Sequence, residues 1–240
     1  MSDIFANWQL LSFSDGGWGW RMLGGFWSTI QIALGAYALG LIIGLFGALG
    51  KIHGSKITRW LLEIYTTLIR AVPELVLILL LYYAGTGAIN SLLDAMGYAP
   101  IDISGLVAGI VVLGIVQGAY ATEVIRGAMR AVPRGQIEAA QAFGMPSTTI
   151  LRRITIPAMI PHAIPGLANL WLIVAKDTAL LAVVGFTELA LVTRQAAGVT
   201  QAYWVFFWAA GALYLSLTLT SNLLFKRLEK HARRGQPELS

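Results

Sequence analysis

Five stretches of this chain are long and apolar enough to cross a lipid bilayer, and that leaves few folds open to it. A spanning helix needs roughly 20 mostly apolar residues, and candidate spans run over about 22–49, 61–84, 106–125, 164–184 and 202–225. Inside hydrocarbon every backbone N–H and C=O must be paired within the segment, so spans of this length are helical. The expected fold class is all-α integral membrane, with five transmembrane helices in a single domain over residues 1–240. A composition 57% hydrophobic and only 12% charged points to the same class. In the second stretch Glu63, Arg70, Pro73 and Glu74 interrupt the apolar run, leaving its first half open to an interfacial placement.

The positive charges orient these spans. Of the 17 Lys and Arg, 13 fall in three places: Lys51, Lys56 and Arg59; Arg126, Arg130, Arg134, Arg152 and Arg153; and Lys226, Arg227, Lys230, Arg233 and Arg234. Basic short loops mark the cytoplasmic side. The alternate connections, 85–105 and 185–201, hold Arg194 with Asp94, Asp102 and Glu188, and are expected outside together with the N-terminus. The C-terminus then lies inside, with the tail from His231 to Ser240 read as frayed. A net charge of +5 beside spans reflects insertion rules and anionic lipid rather than nucleic-acid binding. Residues 1–20 carry Asp3 and Asp15 and lack the basic start and apolar run of a cleavable signal. Trp8, Trp18, Trp20 and Trp27 read as an interfacial aromatic belt. Gly40, Gly44 and Gly47, and Gly105, Gly109, Gly114 and Gly118, read as packing positions that let helix backbones approach closely.

Between the third and fourth apolar stretches lies a polar insert of another character. Residues 138–157 read EAAQAFGMPSTTILRRITIP. Pro133 and Gly135 interrupt what precedes, and the run Gln136 to Phe143 is short, alanine-rich and helix-favouring. Gly144 stops it, since a residue without Cβ takes the left-handed conformation that ends many helices. A short helix on a loop between spans suits docking into a groove on a soluble partner.

Catalytic constellations are not evident. Around Gly50–Lys51, Leu45 stands where a phosphate-binding loop needs its first glycine, and Ile52 where it needs Ser or Thr for magnesium. His53, His162 and His231 are isolated, and the chain has no cysteine for thiol chemistry, disulfides or metal ligation. The chain is therefore read as a non-enzyme, and any ATP hydrolysis that drives it belongs to another polypeptide.

Glu138, Ala139, Ala140, Gly144, Ile154, Ile156 and Pro157 match, position for position, the cytoplasmic "EAA" loop of ABC-importer permeases. With Tyr65–Tyr83 (YTTLIRAVPELVLILLLYY), Gly118–Ala140 (GAYATEVIRGAMRAVPRGQIEAA) and Ala175–Gly185 (AKDTALLAVVG), the chain resembles, over nearly its whole length, a permease subunit of a polar amino-acid ABC importer. The likeness runs to the Q-type subunits of histidine/lysine/arginine/ornithine and octopine/nopaline systems. Pro161–His162–Ala163 departs from it in a variable region.

This resemblance implies the type I ABC importer permease fold and a site in the bacterial inner membrane. It implies a second permease, usually an M-type subunit in a heterodimer, two copies of an ATP-binding subunit that hold ATP and Mg, and a periplasmic substrate-binding protein. The chain itself then binds no cofactor. Glu138, Ala139, Ala140, Gly144, Ile154 and Pro157 would couple the ATPase to transport.

Ionisable groups within a span cost roughly 2.5–3.5 kcal/mol each on insertion scales and are functional candidates by default. Glu74, directly after Pro73, and Lys176 with Asp177 in the fourth span qualify as substrate-path residues. Adjacent helix positions point about 100° apart, so Lys176 and Asp177 need partners elsewhere; neutralising neighbours across helices is the structural alternative. The resemblance implies that an acid at position 74 goes with cationic amino acids or opines. Glutamine or another polar amino acid carried by the same machinery is the main alternative substrate class. A non-ABC secondary transporter would call for internal repeats, which are not evident, and would leave the EAA segment unexplained.

Overall fold

The computed structural model describes residues 7–101 and 103–233 and is helical throughout. Asp3, Asp102 and the tail beyond residue 233, which entered the charge and signal arguments above, lie outside the described residues. A short 3-10 turn, Asn7–Leu11, precedes α1, Gly19–His53. At 1.5 Å per residue its 35 residues reach about 52 Å, more than the roughly 30 Å of hydrocarbon.

The central pair is α1 with α4, Gly105–Arg130. Glycine makes their approach possible. A Cβ placed on Gly44 would stand 2.5 Å from the Ala121 Cβ and 2.9 Å from that residue's carbonyl carbon, and one on Gly40 would stand 2.8 Å from the Gln117 Cβ. Ile32, Ala33 and Ala36 of α1 and Val112 and Leu113 of α4 share one buried core with Trp171 and Val174.

The second apolar stretch is two helices rather than one span over 61–84. Ser55 caps α2, Lys56–Ala71, by accepting from the Thr58 N–H at 3.2 Å. Ile57, Trp60, Leu61, Ile64 and Leu68 form an exposed apolar stripe along it. Val72 and Pro73 are extended, with ψ of 140° and 134°, and α3, Glu74–Ala95, begins at once. Proline disfavours helical backbone in the residue before it, so the break is placed by Pro73 and the long apolar helix shifts toward the C-terminus. Hydropathy averaged across this break merged the two pieces.

After α4, the short α5, Arg134–Ala142, closes on Gly144 at φ +73°. The Met145 N–H donates to the Ala140 carbonyl at 3.1 Å and the Gly144 N–H to that of Gln141 at 2.9 Å, the paired bonds of a Schellman end. One continuous helical run follows: α6, Ser147–Ile150; a π-helical turn, Leu151–Thr155; and α7, Ile156–Asp177. Pro157 has no N–H for the Arg153 carbonyl, and the wide turn lies directly before it. The fourth apolar helix thus starts well before residue 164.

Past Asp177 the helix tightens into a 3-10 segment, Thr178–Val184, and turns at Gly185, φ +88°. The connection 185–201 is not a plain outer loop: it contains α8, Leu189–Thr200. Its Leu189, Val192, Ala196 and Ala197 are buried with Met22 of α1 and Phe206 and Ala210 of α9, Tyr203–Ala232. Among the described residues, five helical segments, 19–53, 74–95, 105–130, 147–184 and 203–232, are long and apolar enough to cross a membrane. Of the four belt tryptophans, Trp8, Trp20 and Trp27 are exposed. Trp18 instead packs edge-on against Phe206, with the Arg21 guanidinium 4.7 Å from its ring centre.

Candidate functional site: an acidic pair at two helix breaks and the EAA segment

Glu74 opens α3 directly beyond the extended Val72–Pro73 pair, and Asp177 closes α7 where it tightens to 3-10. α3 packs against the 3-10 segment that follows Asp177, and the Glu74 carboxyl lies close enough for its charge to act on Asp177. Tyr120, from the middle of α4, stands beside Glu74 on the other side, and the charge of Arg70 acts on the same cluster. Lys176 acts on Asp177 from the neighbouring position, but its side chain is exposed and the two make no salt bridge. Of the three path candidates, the structure brings Glu74 and Asp177 together and turns Lys176 outward. Two carboxyls and a phenol meet here at a helix break, with the charges of Arg70 and Lys176 acting on them, and carboxylates in such a polar cluster are the chemistry that holds an ammonium or guanidinium.

One turn further along α4 lies a charge network that the sequence did not reveal. The Lys51 Nζ donates to Glu123 Oε1 at 2.6 Å, Thr66 Oγ1 at 2.6 Å and Glu63 Oε2 at 2.7 Å. Arg126 pairs with the other oxygen of Glu123. Lys51, counted above with the loop charges, is buried. Its partners come from α2 and α4, so no local spacing marks it.

In the EAA segment Glu138 and Ala139 are exposed and Ala140 is buried. Ala139, Ala140, Phe143, Ile154 and Pro157 line one shallow groove, which joins α5 to the start of α7. Phe143, not singled out in the sequence, is 89% exposed at the helix end. An aromatic ring so bare beside a groove marks a contact face.

At the opposite end, Glu188 is completely buried in the 185–201 connection. It accepts from the Leu191 N–H at 2.7 Å, Tyr214 Oη at 3.1 Å and Thr29 Oγ1 at 3.3 Å. With no cation among these partners, burial pushes its carboxyl above the usual carboxylate range.

Residues 37–234 match the family model described as binding-protein-dependent transport system inner membrane component. The chain is 43% identical over 202 residues to the histidine/lysine/arginine/ornithine transport system permease protein HisQ of Escherichia coli K12, covering 84% of this chain and 89% of HisQ. It is 39% identical over 230 residues to the nopaline transport system permease protein NocQ of Agrobacterium fabrum, covering 94% and 97%. A solved amino acid ABC transporter, crystallised with histidines, superposes with a TM-score of 0.76 at 30% identity over 89% of this chain and 95% of that one. The five apolar helices, the EAA segment and these matches agree: the chain belongs to the binding-protein-dependent transport system inner membrane component family and is a multi-pass Q-type permease subunit of the ABC-importer class.

Proposed function

We propose that this permease subunit passes cationic amino acids or opines across the bacterial inner membrane and that Glu74 and Asp177 form its cation-selective station. The observation that carries the reading is the meeting of these two carboxyls at paired helix breaks, beside Tyr120 in the middle of α4. The substrates named for HisQ and NocQ, which include arginine, ornithine and nopaline, support the same class. A guanidinium or ammonium between the carboxyls makes charge-assisted hydrogen bonds that offset the repulsion of two acids.

The N-terminus and the 185–201 connection face outward, and the EAA segment faces the cytoplasm, as the distribution of Lys and Arg argues. There the groove lined by Ala139, Ala140, Phe143, Ile154 and Pro157, with Glu138 and Gly144 on the same segment, receives a separate ATP-binding subunit. Two such subunits hold ATP and Mg, a second permease completes the pathway, and a periplasmic binding protein delivers substrate. ATP-driven closure moves the coupling segments, and the spans rock about the midplane station.

Uptake in the assembled transporter tests the station. Glu74→Gln preserves shape and removes one charge, so arginine or nopaline uptake is expected to fall about tenfold or more, with a neutral substrate less affected. Equal loss for both overturns the selective role. Unchanged arginine uptake places selection in the binding protein or partner permease. Reconstituted alone, the chain is expected to turn over no ATP, and turnover free of contaminating ATPase refutes the division of labour.

A further inference from the structure

Outside the acidic station and the coupling groove, a third feature is unassigned: a cleft of about 760 Å³ between the ends of α1 and α4, α5 and the α6 turn. His53, Arg59, Arg130 and Arg134 line it with the hydroxyls of Ser147 and Thr155, and buried Lys51 forms its floor. Aspartate and glutamate are missing from its wall. The nearby acids are spoken for: Glu63 and Glu123 hold Lys51, and Glu123 also holds Arg126. Arg59 caps the end of α1 by donating to the Gly54 carbonyl at 2.9 Å and the Ile52 carbonyl at 3.3 Å. Among the described residues, neither Arg130 nor Arg134 has a carboxylate partner.

Arg134 is the more telling of the two. It is the first residue of α5, whose first turn contains no acid, and a helix N-terminus carries partial positive charge that disfavours a cation. Two unpaired guanidinium groups, a helix N-terminus and two hydroxyls thus converge on one cleft with no counter-charge. The cleft opens at the ends of two apolar helices long enough to span a bilayer, and basic pockets between spans suit anionic headgroups.

We propose that this cleft is a binding site for a phosphate group, with Arg130 and Arg134 as its principal ligands and an anionic phospholipid headgroup as its natural source. Bound there, the phosphate ties the ends of α1 and α4 to the segment that precedes the coupling groove. Anionic lipid thereby supports the geometry of that groove.

The test uses the purified full chain in neutral detergent, with bound lipid read by native mass spectrometry and by thermal shift. The probes are phosphatidylglycerol, phosphatidylcholine and inorganic phosphate. Wild type is expected to retain phosphatidylglycerol over phosphatidylcholine, and Arg130→Gln/Arg134→Gln to lose that preference by about tenfold or more. Arg227→Gln/Lys230→Gln, which removes equal charge from the end of α9, is expected to keep it. Arg130→Lys/Arg134→Lys, which keeps the charge, is expected to bind, so a folding defect in the glutamine pair is recognised. Retention of the lipid against free phosphate assigns the site to the bilayer; displacement overturns the lipid source in favour of a soluble phosphate. An undiminished preference in the glutamine pair, equal loss in the α9 variant, or no binding of either probe overturns the site.

Discussion

The Nζ of Lys51 lies 2.6 Å from Oε1 of Glu123, with the lysine side chain only 4% exposed. This contact joins the end of α1 to α4, and Glu63 and Thr66 bring α2 into the same junction. Removing Lys51 leaves the Glu123 and Thr66 oxygens that it holds without their donor, a loss of about 1–3 kcal/mol even though Arg126 still balances the Glu123 charge, whereas replacing both members of a buried pair is far milder. Lys51→Met is therefore expected to lower the unfolding midpoint of the solubilised chain strongly. Lys51→Met/Glu123→Gln is expected to recover most of that loss. Additive losses in the double variant would show that the two side chains act independently.

Gly44 sets the distance between the central helices, because its missing side chain leaves room for Ala121 and the backbone beyond it. Backbone atoms cannot move aside as a flexible side chain can, so overpacking here costs about 1–3 kcal/mol or more. Gly44→Leu is expected to reduce the folded yield in membranes. Gly24, on the same helix, has nothing within 4 Å of an added Cβ. Gly24→Leu is the matched control, with near-normal yield expected by fluorescence-detected size-exclusion chromatography.

Gly144 is a different case, since an added Cβ meets nothing within 4 Å and the obstacle is its φ of +73° alone. A β-branched residue in that region costs about 1–2 kcal/mol or more, while asparagine visits it readily. Gly144→Val is expected to abolish uptake and weaken ATPase association while leaving membrane insertion intact. Gly144→Asn is expected to retain much of both. Undiminished uptake by the valine variant at normal expression would remove the coupling role.

The contrast between these two glycines marks where sequence reasoning worked. Gly144 is legible because a glycine closing an alanine-rich helix has one local job. The break at Pro73 is equally local, yet the span drawn over 61–84 straddled it, because a hydropathy window averages where a proline divides. Lys51 and the Glu74–Asp177 meeting were not legible, since their partners come from distant helices and nothing in spacing records tertiary contact. α8 escaped because its 12 residues are too few to cross a membrane, and the connection containing it looked like a loop.

Glu188 shows what that hidden helix depends on. Its carboxylate caps α8 through the Leu191 N–H and holds the hydroxyls of Thr29 in α1 and Tyr214 in α9. Glu188→Ala removes the cap and leaves the buried hydroxyls without their acceptor, losses of about 1–3 kcal/mol for such groups. A marked fall in the unfolding midpoint is expected. Glu188→Gln keeps an acceptor and the shape, so its loss is expected to be small. The pH dependence separates charge from shape. Because burial raises the folded-state pKa of Glu188 above its ordinary value, the protonated carboxyl favours the fold. That contribution is fully present below the ordinary glutamate pKa and is lost as pH rises through the raised value. The wild-type midpoint is therefore expected to decline with rising pH relative to Glu188→Gln, which has no proton to lose there. Parallel pH profiles for the two proteins would show that Glu188 does not titrate differently in the folded and unfolded chain.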